Sequence, residues 1–259
     1  MLRFDFIRYA HYAQRERIIH GPACMIDLDF ALQRGEFSLE LALRSPARAL
    51  ALFGPSGCGK TSTLLAIAGL LRPRRGRIAI DGHALFDAEA NVDLPPARRD
   101  LGVVFQDARL FPHLSVRDNL RYGMPRAATA QSFDDVVQLL ALSAFLKRKP
   151  GQLSGGQIRR VAIGRALLRQ PRALLLDEPL ANLHREARAE VLEHLRGLKR
   201  GFALSTILVS HQPDEVIALA DSVALIEDGR LAALEGIEAF NASTAAPGIP
   251  VAASARATG

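Results

Sequence analysis

Residues 54–61 read Gly-Pro-Ser-Gly-Cys-Gly-Lys-Thr, and these types at this spacing suit one task, holding a polyphosphate. Gly54, Gly57 and Gly59 permit positive φ and close backbone approach, so successive N–H groups can converge on an anion. The pattern is G-x-x-x-x-G-K-[ST], in which the lysine reaches the β- and γ-phosphates and the hydroxyl serves Mg²⁺. Here those residues are Lys60 and Thr61. The expected polyphosphate contacts are Gly54, Pro55, Ser56, Gly57, Cys58, Gly59, Lys60, Thr61 and the following Ser62. A strand must deliver such a loop and a helix must leave it. Residues 48–53 (Arg-Ala-Leu-Ala-Leu-Phe) and 61–70 supply them. The helix N-terminus adds a dipole that favours anions.

The chain has 259 residues, enough for one large domain or two small ones. Charged residues make up 23% and hydrophobic ones 49%, which places the chain among ordinary globular proteins. A net charge of +6 suits nucleic acid, anionic headgroups or nucleotide phosphate equally. That charge is scattered rather than striped, so no nucleic-acid partner is expected. Two cysteines, Cys24 and Cys58, make no disulfide framework, which fits a reducing compartment. Cys58 sits at a helix start, where a thiolate is favoured, although a small residue that simply fits is the plainer reading. No apolar run reaches the roughly 18 residues that cross a bilayer, so any service to a membrane requires docking on another chain.

Residues 1–24 differ from the rest. Arg3, Arg8, Arg15 and Arg17 interrupt every apolar stretch, and no secretory h-region is present. The segment reads as a basic amphipathic extension or, in preference, as untranslated, with a start at Met25. Strand patterning begins at Ile26. Residues 26–30 and 37–43 alternate apolar and polar types around Arg34-Gly35, and with residues 76–82 they predict a small antiparallel sheet. Residues 87–100, with Pro95-Pro96, read as a surface loop. Residues 101–105 form a short apolar strand followed by Gln106. Residues 107–165 then read as an inserted helical subdomain, with Ser115 placed as a helix cap. Apolar strands at 173–176, 206–209 and 223–226 alternate with helices at 185–198 and 216–220, which predicts a buried parallel sheet. The tail, residues 237–259, is expected to be disordered, because residues 241–259 are Ala, Ser, Thr, Pro and Gly with little else.

Leu153-Ser154-Gly155-Gly156-Gln157 is the deciding stretch, since five fixed residues recur by chance in roughly one such chain in several thousand. Paired with the phosphate loop, it resembles the ATP-binding subunits of ABC transporters over about residues 25–236. That resemblance implies an α/β fold: a P-loop NTPase core, an antiparallel β-subdomain and the inserted helical subdomain. It implies that Asp177, ending Leu174-Leu-Leu-Asp177, holds Mg²⁺ with Thr61 and Gln106. Glu178 becomes the general base, His211 the histidine that bonds the γ-phosphate, and Gln106 the sensor beside the membrane partner. Ser154, Gly155, Gly156 and Gln157 are implied to cap the ATP of a second copy in a head-to-tail homodimer. The partners are then integral-membrane permease subunits and, indirectly, a substrate-binding protein. The location is the cytoplasmic face of the inner membrane. Residues 94–113 and 117–124 are similar to the molybdate-importer branch, most of all Gln106–His113. Importers of sulfate or other oxyanions would share every catalytic residue, and a non-transport ABC ATPase is the rival of another class.

This chain departs from the family pattern in three places. Where the family carries an acid that reaches across the dimer, after Ala181-Asn182-Leu183, stands His184. The aromatic residue that usually stacks on adenine falls near Arg34, leaving Phe30, Phe37 or the Arg34 guanidinium plane for that contact. The molybdate branch usually carries a C-terminal oxyanion-binding β-domain, while these residues end in a low-complexity stretch, which puts regulation by bound molybdate in doubt. His184→Asp is expected to change both the ATPase rate and its cooperativity in ATP, read from steady-state rates across ATP concentrations.

Overall fold

The computed structural model describes residues 26–125, 130–202 and 204–245. The expectations for residues 1–24 and for the end of the tail, residues 246–259, lie outside the described residues. In chain order the described elements begin with β1 (Ile26–Arg34), β2 (Phe37–Ser45), β3 (Ala49–Phe53), α1 (Lys60–Ile67), β4 (Arg75–Ile80) and β5 (His83–Asp87). Next come β6 (Val92–Asp93), β7 (Leu101–Val104), α2 (Val116–Arg121), α3 (Ala130–Leu139), α4 (Gly155–Leu168) and β8 (Ala173–Asp177). The chain then runs through α5 (Arg185–Gly201), β9 (Ser205–Val209), α6 (Pro213–Leu219), β10 (Ser222–Glu227), β11 (Arg230–Gly236) and α7 (Ile237–Ala245). No helix among the described residues is long and apolar enough to cross a membrane.

The strands lie in the order β6-β5-β4-β1-β2-β11-β10-β3-β9-β8-β7. The last five of these are parallel, and β3 and β8 are buried at every position. Helices covering both faces leave no polar side to such strands, hence their unbroken Ala, Leu and Phe. Strands β6, β5, β4, β1 and β2 pair antiparallel, and β2 alternates. β2 buries Leu39, Leu41, Leu43 and Ser45 while exposing the residues between. β1 pairs with β2 along its whole length, from Ile26↔Ser45 to Arg34↔Phe37.

The predicted antiparallel sheet is present but not separate. β11, absent from the sequence reading, pairs with β10 and touches β2 at Arg230↔Glu40, joining the two halves. One pair of residues leaves no periodicity of its own to read. The helical insertion likewise shares its core with the sheet. Val116, Leu120, Val136 and Leu140 pack in one cluster with Leu174 and Leu176 of β8 and Leu195 of α5. Gly164 makes this approach possible, since a Cβ there would lie 2.7 Å from Leu120 Cδ2.

One expectation is refined and one corrected. The loop 87–100 lies at the surface, with most of its residues exposed, but it buries Arg99, which is 1% exposed. Its guanidinium donates to the carbonyls of Ala66 and Ile67 at the end of α1, to Leu94 O and to Asp93. A cation there satisfies carbonyls that a helix leaves open at its C-terminus and meets the negative end of the helix dipole. The tail also does not begin at residue 237. Residues 237–245 form α7, and Phe240 is buried, its ring 5.1 Å from that of Phe53 at 71°. Two apolar residues, Ile237 and Phe240, ahead of an Ala- and Ser-rich stretch are too weak a compositional signal to outweigh it. Phe240→Ala is expected to cost about 3 kcal/mol, lowering Tm by roughly 6–12 °C in a thermal melt of the nucleotide-free protein.

Candidate active site

β3 delivers the phosphate loop at the edge of the sheet, and α1 leaves it. Gly54 cannot carry a side chain, because its Cβ would lie 2.1 Å from the carbonyl oxygen of Ile226. Gly59 has φ +111 at the start of α1, and a Cβ there would meet Leu39 Cδ1 at 2.8 Å. Ser56 and Gly57 stay exposed, while Cys58 is buried. Lys60 is 6% exposed, and its Nζ donates to the carbonyls of Gly54 at 2.8 Å and Pro55 at 2.7 Å. A longer contact reaches Cys58 Sγ at 3.7 Å. No carboxylate lies within ion-pair distance of Lys60 among the described residues. A buried ammonium held by carbonyl dipoles and a thiol, with no ion pair, favours a bound anion.

Two carboxylates face this loop from the end of β8. Thr61 Oγ1 donates to Asp177 Oδ1 at 3.1 Å. Burial pushes the Asp177 carboxyl above the usual carboxylate range, and the charge of Glu178 adds to this. The Thr61 hydroxyl, Lys60 and Arg159 oppose it. Glu178 has φ +45, a left-handed conformation for a non-glycine residue, and its N–H donates to Val209 O at 2.9 Å. His211 Nδ1 lies 3.0 Å from Glu178 Oε1. His211 follows β9, the strand between β3 and β8, so acid and imidazole meet outside the carboxyl ends of parallel strands.

Behind this pair stands a brace that sequence reasoning missed. Ser210 Oγ donates to Glu215 Oε2 at 2.8 Å and accepts the N–H of Gln212 at 3.0 Å. Arg188 of α5 pairs with Glu215 Oε1 at 3.0 Å. Ser210 and Glu215 are almost fully buried. A buried carboxylate five residues after a strand's last serine carries no motif by which to find it.

One cleft is lined by Arg34, Phe37, Ser56, Gly57, Gly59, Lys60, Thr61, Ser62 and Glu178. Of the residues singled out in the sequence it brings together Ser56, Gly57, Gly59, Lys60, Thr61, Ser62 and Glu178, while Gly54, Pro55, Cys58, Gln106, Asp177 and His211 are not among its lining residues. Phe30 is 2% exposed and unavailable, whereas Phe37 and Arg34 line the cleft. Ser154, Gly155, Gly156 and Gln157 do not line it. They open α4, where Ser154 Oγ accepts the Gln157 N–H and Gln157 Oε1 accepts that of Ser154. This capping box leaves Ser154 and Gly155 exposed. Gln106 follows β7 with its side chain exposed, and Arg159 holds the carbonyls on either side of its peptide link.

Among the described residues no three His, Cys, Asp or Glu side chains form a metal cage. The Thr61 hydroxyl and Asp177 carboxylate are instead paired hard oxygen donors beside a phosphate loop. That set fits Mg²⁺, which shares its shell with phosphate and water.

A loop of this kind between a buried parallel strand and a helix, with acids ending a nearby strand, defines a P-loop NTPase fold. The narrower class follows from comparison. Residues 39–181, more than half of the chain, match the family described as ABC transporter, and the chain belongs to that family. It is 50% identical over 219 residues to the molybdenum import ATP-binding protein ModC of Paramagnetospirillum magneticum, covering 83% of this chain and 60% of that protein. To the ModC of Salmonella typhimurium it is 49% identical over 228 residues, covering 87% and 64%. The chain thus spans a little over three-fifths of the length of these curated relatives. A nucleotide-free ATP-binding cassette of an ABC transporter superposes with TM-score 0.73 at 22% identity, covering 86% of this chain and 96% of that one. A bacterial ABC transporter cassette solved as a dimer gives 0.69 at 24%, covering 82% and 98%.

The Asp177 environment has a sign that can be checked. A carboxyl whose pKa is higher folded than unfolded loses native-state stability as pH rises through that interval. Above it, the ionised group weighs against the nucleotide-free fold. Asp177→Asn is therefore expected to raise Tm at pH 7, with the gap closing toward pH 4, in melts without nucleotide or metal.

Proposed function

We propose that this chain is the ATP-binding, ATP-hydrolysing subunit of an ABC importer that energises molybdate uptake. The observation that carries the engine is the Glu178–His211 contact, set beside the Thr61–Asp177 pair at the mouth of the phosphate loop. The cargo rests on the two relatives named above, whose printed name is molybdenum import ATP-binding protein.

In this reading the loop N–H groups and Lys60 bind the phosphates, and Phe37 or Arg34 packs against the base. Thr61, Asp177 and Gln106 hold the Mg²⁺, which when bound neutralises charge developing on the phosphate oxygens. His211 bonds the γ-phosphate in this reading, and its Nδ1 contact with Glu178 Oε1 holds the carboxylate beside it. The other carboxylate oxygen is then free to take a proton from the attacking water. The Ser210–Glu215–Arg188 brace keeps the imidazole on that line. Ser154 to Gln157, apart from this cleft and with Ser154 and Gly155 exposed, serve a second copy's ATP. Their capped helix start offers N–H groups and a favourable dipole to its γ-phosphate. Two copies thus close head to tail over two nucleotides and open after hydrolysis. They sit at the cytoplasmic face of the inner membrane, docked on permease subunits that a substrate-binding protein loads. No nucleic-acid partner is part of this reading.

The test is ATPase activity of the subunit reassembled with its permease in liposomes, with molybdate, tungstate or sulfate presented on the binding protein. Stimulation by molybdate is expected, with Glu178→Gln lowering the rate by at least about 100-fold, the scale for a lost general base. Stimulation by sulfate alone would overturn the cargo and keep the engine. Unstimulated hydrolysis with every anion would favour a non-transport ABC ATPase.

A further inference from the structure

Arg159 is placed on α4 two residues beyond the capped start, and it is 5% exposed. Its two terminal nitrogens donate to successive backbone carbonyls, those of Phe105 and Gln106, each at 2.7 Å. Arg165, further along the same helix, donates to Ala108 O at 3.2 Å. Burying a guanidinium is costly, and here no carboxylate forms an ion pair with it among the described residues. Asp107 and Asp177 act on it from farther off. The cost is met by the segment that carries Gln106. A planar fork that bonds two consecutive carbonyls fixes both the position and the tilt of that peptide, which a single ammonium could not do.

We propose that Arg159 is a positioning residue that sets Gln106. It makes α4 and the Gln106 segment move as one body. One end of that body is the Ser154–Gln157 start of α4, and the other is the Gln106 segment, to which the reading above gives this chain's own metal. A shift of α4 when a second copy's nucleotide arrives would be carried by two short hydrogen bonds into Gln106. This rests on the roles proposed above for Gln106 and for the head-to-tail pair.

The test uses the full subunit, with and without its permease in liposomes. Arg159→Met is expected to lower kcat about tenfold while KM for ATP stays within about twofold, and Arg159→Lys to restore part of the rate. Hydrogen exchange of the nucleotide-free protein should quicken across residues 104–109 in Arg159→Met. The deciding comparison is Arg159→Met combined with Gln106→Ala. If Arg159 acts through Gln106, the double variant is no slower than Gln106→Ala alone. Multiplying defects, an unchanged kcat, or a harmless Gln106→Ala would each overturn the proposal. Should Arg159→Met not fold, Arg159→Lys and Arg159→Gln enter the same cycle. Glu178→Gln reports on the engine separately. Activity in that variant would overturn the proposed general base and leave the Arg159 cycle to be read by itself.

Discussion

Everything at this site depends on the register of three parallel strands. Leu52 of β3 pairs with Val209 of β9, and Val209 pairs with Asp177 of β8. All three strands therefore run out together at one edge. Gly54, Asp177 and His211 lie more than a hundred residues apart in places, yet that alignment sets them side by side. A shift of one residue in β8 would turn Asp177 to the other face, because side chains alternate along a strand. β3 and β8 are buried at every position and β9 at all but Thr206, so a slipped arrangement would not recover the same packing.

On this frame the site is assembled from charges that the fold only partly compensates. Lys60 is buried against carbonyl oxygens, and Asp177 is buried against a hydroxyl. Neither group forms an ion pair among the described residues, so an anion beside Lys60 and a hard cation beside Asp177 would offset the cost of burying them. Glu178 adds backbone strain at φ +45, repaid by its N–H bond to Val209. Such strain persists where surrounding structure over-determines it, as the Ser210–Glu215–Arg188 brace does from the other side.

Buried arginines join the layers. Arg99 ties the end of α1 to the loop after β6, and Arg159 ties α4 to the segment after β7. Arg160 donates to Leu140 O and pairs with Glu190, linking α4 to the insertion and to α5. In each case the partners include backbone carbonyls outside regular pairing. Arginine meets this need because it presents several donors in fixed directions and keeps its charge when buried.

The sequence by itself determined the phosphate loop and the capped start of α4, local patterns whose residue types follow from the chemistry or from a helix end, while Asp177, Glu178 and His211 stand out only through the family resemblance. It also determined the parallel core, since fully buried strands must read as apolar runs. Only the tertiary structure decided what depends on contacts between distant segments. The single Arg230↔Glu40 pair makes one sheet of two. Phe240 finds Phe53 and folds the start of the expected tail, and Phe37 rather than Phe30 reaches the cleft. Arg99 and Arg159 look in the sequence like any surface arginine. Their burial follows from carbonyls that segments far along the chain leave open, and no local spacing records where those carbonyls will lie.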